Sequence, residues 1–94
     1  MKTREQIVER LEACKTDLEA NAYGGSLNGV LAMEVLTLKY FFRFNPSQNV
    51  KFDDWAAERI LMNDVTLQQD GLSEHGSLRA RTESAILEWM ISPV

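Results

Sequence analysis

The side chains in this sequence that are capable of chemistry are few and far apart. Cys14 is the only cysteine and His75 is the only histidine. A zinc site needs several Cys or His residues at short spacing, and no such cluster or HExxH motif is present. Cys14 falls on an apolar stripe, where a lone thiol usually acts as a small buried hydrophobe, and His75 falls in a polar Ser-Glu-His-Gly segment. The sequence therefore predicts no metal, no cofactor, no catalytic residue and no enzymatic activity.

Glu34 is the one carboxylate in the most apolar stretch of the chain, residues 27–44. An unpaired carboxylate is costly to bury, so this side chain must be paired, protonated or in contact with water. The prediction is that Glu34 reaches solvent at the edge of a helix or pairs with an arginine. The alternative is that Glu34 is a functional titratable group.

Ser26 begins the same apolar stretch. Ser26-Leu27 is similar to part of the Asp-Ser-Leu motif of acyl carrier proteins, which are also small, acidic and four-helical and whose serine carries phosphopantetheine. The similarity covers two residues, and Gly25 stands where that family has its aspartate. The resemblance implies an alternative function, a carrier-type or enzymatic domain acting through Ser26 or Glu34.

Helical periodicity accounts for the first half of the chain. Thr3 and Gln6 match a capping box at the start of a first helix, which Gly24-Gly25 is predicted to end. The apolar stripe of this helix repeats every three or four residues: Ile7, Leu11, Cys14 and Leu18. Residues 27–44 are apolar around almost the whole helical wheel, which predicts a second helix buried on most sides. Asn45-Pro46 is predicted to end it.

Two further helices are predicted in the second half. Asp53 or Asp54 is expected to cap a third helix that stops at Asp70-Gly71, and Ser77 is expected to cap a fourth after a loop at 72–76. The apolar face of the third helix is predicted to be Ala57, Ile60, Leu61 and Val65. The stripe of the fourth is predicted to be Leu78, Thr82, Ala85 and Trp89, flanked by Ile86 and Met90.

Length and composition indicate one soluble domain. The chain has 94 residues, of which 45% are hydrophobic and 26% are charged, and its formal net charge is -4. That size supports a single core over residues 1–94. The fold class predicted is all-α, a small four-helix bundle or an orthogonal helical array without strands. Residues 27–44 are too short and too charged for a membrane span, and one unpaired cysteine fits a reducing, cytoplasmic compartment.

Acidic residues are distributed unevenly over the predicted surface. The first helix places carboxylates on its outer face, and between residues 53 and 76 there are six acids against one base, Arg59. Trp55 and Met62, seven residues apart and off the main stripe of the third helix, have the residue types that are enriched at interface centres. The sequence therefore predicts a partner-binding surface that includes Glu5, Glu9, Glu12, Glu19, Trp55, Met62, Asp64 and Asp70.

The function predicted is that of a protein-interaction module, a small regulator, adaptor or inhibitor. Its partner is expected to be another protein, and a homodimer is also expected because the second helix has more apolar surface than three modest helices can cover. The acidic balance disfavours nucleic acid, whose binding requires many Lys and Arg residues. The alternative is a small DNA-associated regulator that uses the bases Lys39, Arg43, Arg79 and Arg81.

Overall fold

Four helices make up most of the described chain. The computed structural model describes residues 1–21, 25–44 and 50–93, without the side chains of 25–27. The helices are α1 (Arg4–Ala20), α2 (Gly25–Arg43), α3 (Phe52–Leu67) and α4 (Glu74–Ile91). Over these residues the structure contains no strand, and the helices form one domain. The predicted all-α class is confirmed.

The helices pack in the spatial order α1, α2, α4, α3. Helix α2 contacts both α1 and α4, and α4 also contacts α3. Contacts between Cys14 and Glu34 and between Arg4 and Phe42 show that α1 and α2 run antiparallel. The sequence predicted that the second helix is buried on most sides, and in the structure both α2 and α4 pack against two other helices.

The start of α1 is as predicted. Thr3 Oγ1 accepts a hydrogen bond from the backbone N–H of Gln6 at 3.2 Å, and Gln6 Oε1 accepts one from the backbone N–H of Thr3 at 2.9 Å. This reciprocal capping box satisfies two N–H groups that a helix start leaves without partners. The predicted stripe is also confirmed, because its residues lie in or against the core: Ile7, Leu11, Cys14 and Leu18. Of the predicted stop, Gly24 lies outside the described residues, and Gly25 begins α2.

Helix α2 is buried along one side and reaches solvent on the other. Leu31, Val35 and Leu38 belong to the interior, and Leu38 is completely buried. Leu36 and Phe42 are exposed, so the prediction of burial on most sides is wrong at these two positions. Leu36 lines an open groove between α2 and α4, and Phe42 lies at the surface beside Arg4 of α1. The predicted stop at Asn45-Pro46 lies outside the described residues.

Helix α3 turns a different face inward from the one that the apolar pattern predicted. Its buried residues are Phe52, Ala56 and Asn63, with Ile60 half-buried. The other members of the predicted face are exposed: Ala57, Leu61 and Val65. The prediction was wrong because polar side chains of α3 bond to α4 and hold that side of the helix inside.

The predicted caps of α3 and α4 were also wrong. Lys51 precedes α3 as its N-cap, and Asp53 and Asp54 lie in the first turn, where carboxylates favour the positive end of the helix dipole. Helix α4 begins earlier than predicted, since the side chain of Ser73 caps it by accepting from the N–H of Gly76 at 3.0 Å. Gly76 and its two predecessors are therefore helical, and Ser77 is not a cap.

The predicted stripe of α4 is right in part. Thr82, Ile86 and Met90 are buried as expected, but Ala85 is exposed. Leu87 is fully buried and was missed, and so was a charged residue, Glu83. The buried side of α4 is wider than the predicted stripe because α2 covers one flank of the helix and α3 covers the other.

An aromatic cluster closes the end of the domain where α2 ends and α3 begins. Its rings meet edge-on or tilted, with centroids 5.3 to 5.9 Å apart, in geometries that aromatic pairs prefer. The rings belong to Tyr40, Phe41, Phe44, Phe52 and Trp55.

Within the described part of the chain, none of the four helices has the length and the apolar character that a membrane span requires.

Candidate functional site

The acidic face of α1 is fully presented to solvent. All four of its predicted carboxylates are exposed: Glu5, Glu9, Glu12 and Glu19. Glu12 forms an ion pair with Lys15 at 3.6 Å, in which both side chains are largely exposed. An exposed pair of this kind contributes little to stability and only partly offsets the local negative charge. The face is an acidic strip that follows the whole length of the helix.

The predicted residues of α3 and the following turn divide between surface and interior. Met62, Asp64 and Asp70 are exposed. Trp55 is half-buried and packs on Phe52 with ring centroids 5.7 Å apart. Although Trp55 and Met62 lie on one side of the helix, only Met62 is free of the aromatic cluster.

A buried polar network joins α3 to α4. Nε of Arg59 donates a hydrogen bond to Oε1 of Glu83, a carboxylate that is only 1% exposed. Nδ2 of Asn63 donates to the same oxygen at 3.1 Å and to Oγ of Ser84 at 3.0 Å. The hydrogen bond that Arg59 donates to Glu83 raises the pKa of Arg59 above its already high ordinary value. The guanidinium therefore stays charged and compensates the buried carboxylate.

Sequence reasoning missed this network, although one signal was present. Glu83 lies four residues before Leu87 and three before Ile86, which puts it on the inner side of α4. A charged residue at such a position requires a partner of opposite charge, and Arg59 is the only base between residues 53 and 76. The two facts together would have predicted the pair.

Glu34 is half-buried between α2 and α1, and its side chain accepts a hydrogen bond from a thiol. Sγ of Cys14 donates a hydrogen bond to Oε2 of Glu34 at 3.4 Å. Burial raises the pKa of the Cys14 thiol, and the hydrogen bond and negative charge of Glu34 add to that effect against an opposing influence of Arg10. A thiol with a raised pKa is protonated near neutral pH and is a poor nucleophile.

Glu34 also borders a shallow surface pocket of about 300 Å³ with two cations. Arg10 and Arg81 line the same pocket, but neither forms an ion pair with Glu34. The predicted solvent contact of Glu34 is thus met at this edge of α2.

An open groove of about 650 Å³ lies between the N-terminal halves of α2 and α4. Its floor is aliphatic and includes Met33, Leu36 and Leu78, and the exposed His75 stands at its rim. The side chain of Ser26, the residue of the carrier-type alternative, lies outside the described residues. Among the residues that are described, no group of three or more His, Cys, Asp or Glu side chains has the geometry of a metal site.

The four bases of the DNA-binding alternative do not form one patch. Arg79 and Arg81 are two residues apart, so they leave α4 on different sides. Both lie in the N-terminal half of α4, which packs beside the N-terminal half of α2, whereas Lys39 and Arg43 lie toward the other end of α2. Binding to a DNA phosphate backbone would need several Lys or Arg side chains on one face of the protein.

Compared with models of protein families, with curated proteins and with solved structures, the chain has no significant match.

Proposed function

We propose that this chain is a non-enzymatic protein-interaction module, a small regulator, adaptor or inhibitor that presents an acidic helical surface to another protein. The observation that supports the proposal is the inward pairing of Arg59 with Glu83. Arg59 is the only Lys or Arg residue between residues 53 and 76, and its guanidinium is paired with the buried carboxylate of Glu83. The six carboxylates of that segment are all exposed: Asp53, Asp54, Glu58, Asp64, Asp70 and Glu74.

This distribution of charge has a cost to the isolated domain. Like charges on neighbouring helical positions repel one another, and the net charge of -4 adds a general self-repulsion. A partner with Lys and Arg side chains relieves that repulsion. Complementary charge of this kind mainly accelerates association, and the acceleration decreases as salt screens it.

The test begins with affinity capture of the partner from the source organism, followed by stopped-flow association measurements. Glu9→Lys probes the α1 face, Asp64→Lys probes α3, and Glu88→Lys, at an exposed position of α4, is the control with the same charge change. We expect one of the first two variants to lower the association rate at least fivefold at low salt, with the difference shrinking at high salt. Equal rates for all three variants at every salt concentration would contradict the proposal.

A second candidate is self-association into a homodimer, which the exposure of Leu36 on the second helix favours. Sedimentation equilibrium of the chain and of a Leu36→Lys variant tests it, and a dimer that dissociates in the variant is the expected result.

We also propose a reducing compartment such as the cytoplasm, because the protonated, hydrogen-bonded thiol of Cys14 needs no disulfide partner.

A further inference from the structure

We infer that the outer face of α3 is a docking site for a basic amphipathic helix of the partner protein. This α3 outer face consists of Leu61, Met62 and Val65, bordered by Asp54, Glu58 and Asp64. The inference rests on the proposed function, because it requires that the acidic surface is used for protein binding. It goes further in naming one face and the chemistry of the segment that fits it.

The apolar part of the α3 outer face is unusually exposed. Leu61 is 65% exposed, Val65 is 63% and Met62 is 55%, the highest values among the large hydrophobic side chains of the described chain. Residues three and four apart on a helix are neighbours, so Val65 adjoins both Met62 and Leu61 and joins the three side chains into one patch. A contiguous apolar patch with a polar rim is typical of a protein-binding surface.

The orientation of α3 shows that this exposure is a consequence of tertiary packing. The same helix buries Asn63 and turns Arg59 inward to Glu83. The apolar pattern alone would have placed Leu61 and Val65 inside and those polar residues outside. The fold therefore holds Leu61, Met62 and Val65 of α3 in water, which is unfavourable for an isolated domain and favourable when a partner covers these side chains.

Charge decides which occupant fits the patch. Glu58 precedes Leu61 by three residues and Met62 by four, and Asp64 follows Leu61 by three, so acids border the patch at its N-terminal end and along one side. A symmetric contact with a second copy would bring this acidic border against itself. A helix with an apolar stripe and flanking Lys or Arg residues would instead match both the patch and its border.

Met62 adds a feature that suits a helical ligand. Its thioether side chain is unbranched and adapts to irregular apolar surfaces, as in other proteins that bind amphipathic helices. Leu61 and Val65 lie one turn apart beside Met62, and their branched side chains are less flexible than that of Met62. Together they can contact ligand side chains spaced at three and four residues.

The probe is a synthetic helical peptide with leucines at positions i, i+3, i+4 and i+7 and lysines along both edges of that stripe. The control peptide has the same composition in scrambled order. Titration of the full-length chain, observed by two-dimensional amide NMR, is expected to shift resonances of residues 54–65 with the amphipathic peptide and not with the scrambled one. Shifts centred on the acidic face of α1, or none at all, would overturn the inference.

A double variant, Leu61→Ser with Val65→Ser, tests the patch without disturbing the core, because both side chains are exposed. We expect peptide affinity to fall at least tenfold. Glu9→Lys with Glu12→Lys, on the α1 face, is the control and is expected to change it less than threefold. Equal losses of peptide affinity in the two double variants would show that binding depends on overall charge alone, which contradicts a defined site.

Two further outcomes separate this inference from the proposed function. If Glu9→Lys weakens binding of the captured natural partner and the Leu61→Ser, Val65→Ser variant does not, the proposed acidic interaction module is supported. In that case the inference of a docking site on α3 is wrong. If sedimentation shows a dimer that the Leu61→Ser, Val65→Ser variant dissociates, the face is covered by a second copy and the inference is again wrong. Loss of natural partner binding in the serine variant supports both.

Discussion

Glu83 of α4 is almost completely excluded from water and accepts a hydrogen bond from the guanidinium of Arg59 in α3, whose side chain keeps 37% of its exposure. The pair therefore has one buried member and one at the surface. It joins the two helices that pack against each other most extensively. It also engages the single Lys or Arg of the segment between residues 53 and 76, so that the acids there are left without another cation on α3.

Replacing Arg59 by methionine is expected to destabilise the domain. Removal of one partner leaves a buried charge uncompensated, which typically costs about 3–5 kcal/mol. Because Arg59 is partly exposed and water can reach the site, we expect a value near the lower end, about 3 kcal/mol. Urea unfolding followed by circular dichroism measures it.

Two further variants show whether charge is the cause of that loss. Arg79→Met, at an exposed position of α4, is expected to change the free energy of unfolding by less than about 0.5 kcal/mol. Adding Glu83→Leu to Arg59→Met is expected to recover most of the loss, since the unpaired buried charge is then gone and Asn63 keeps its bond to Ser84. A double variant as unstable as Arg59→Met alone would show that the loss comes from packing.

Leu38 and Leu36 of α2 form a matched pair, because they are two residues apart and face opposite environments. Leu38 is fully buried and Leu36 is 46% exposed. Leu38→Ala is expected to lower the free energy of unfolding by about 2–5 kcal/mol through lost burial and a residual cavity. Leu36→Ala is expected to cost less than about 1 kcal/mol. Similar denaturation midpoints for the two variants would show that this side of α2 is not the core.

Gly71 and Gly29 are expected to respond to alanine with opposite signs. Gly71 adopts a φ of +78°, and an L-residue in this left-handed region costs roughly 1–2 kcal/mol. Gly29 lies in the interior of α2 with no atom within 4 Å of an added Cβ, and alanine at such a position stabilises by about 0.5–1 kcal/mol. Thermal unfolding of both variants checks the signs, and a Gly71→Ala protein as stable as the parent would refute the role of the turn.

The Cys14 thiol is expected to make stability fall at alkaline pH. Its pKa in the folded state is raised above 9.0, chiefly by burial and further by Glu34. Above that pH the thiol of the unfolded chain loses its proton while the folded one keeps it, so the unfolded state binds fewer protons and stability decreases as pH rises. Below about pH 8 both states are protonated and the effect is absent.

The measurement compares the parent with Cys14→Ala by urea unfolding between pH 7 and pH 10.5. The titration of lysines and tyrosines is common to the two proteins and cancels in the difference. The stability advantage of the parent over Cys14→Ala should be constant up to about pH 8 and then decline. Parallel curves over the whole range would mean that the thiol pKa is the same in the folded and unfolded states.

The sequence alone was sufficient to identify the fold class and the first helix. The capping box of Thr3 and Gln6 is a local interaction, and the stripe that begins at Ile7 follows from helical periodicity. Gly71 adopts its positive φ in the turn after α3, but the helix ends earlier than the predicted stop at Asp70-Gly71, at Leu67. The exposure of the α1 carboxylates was predictable too, since an amphipathic helix with one apolar stripe can bury only that side.

Tertiary structure decided the orientation of α3 and, with it, the surface that the domain offers. Periodicity ranks residues by hydrophobicity and therefore placed Leu61 and Val65 inside. The actual inner side is determined by long-range partners, as Arg59 and Asn63 meet Glu83 across twenty or more residues of sequence. A buried carboxylate must have its hydrogen bonds, and this requirement outweighs the burial of two aliphatic side chains. Such a constraint depends on which helices become neighbours, so only the packed structure reveals it.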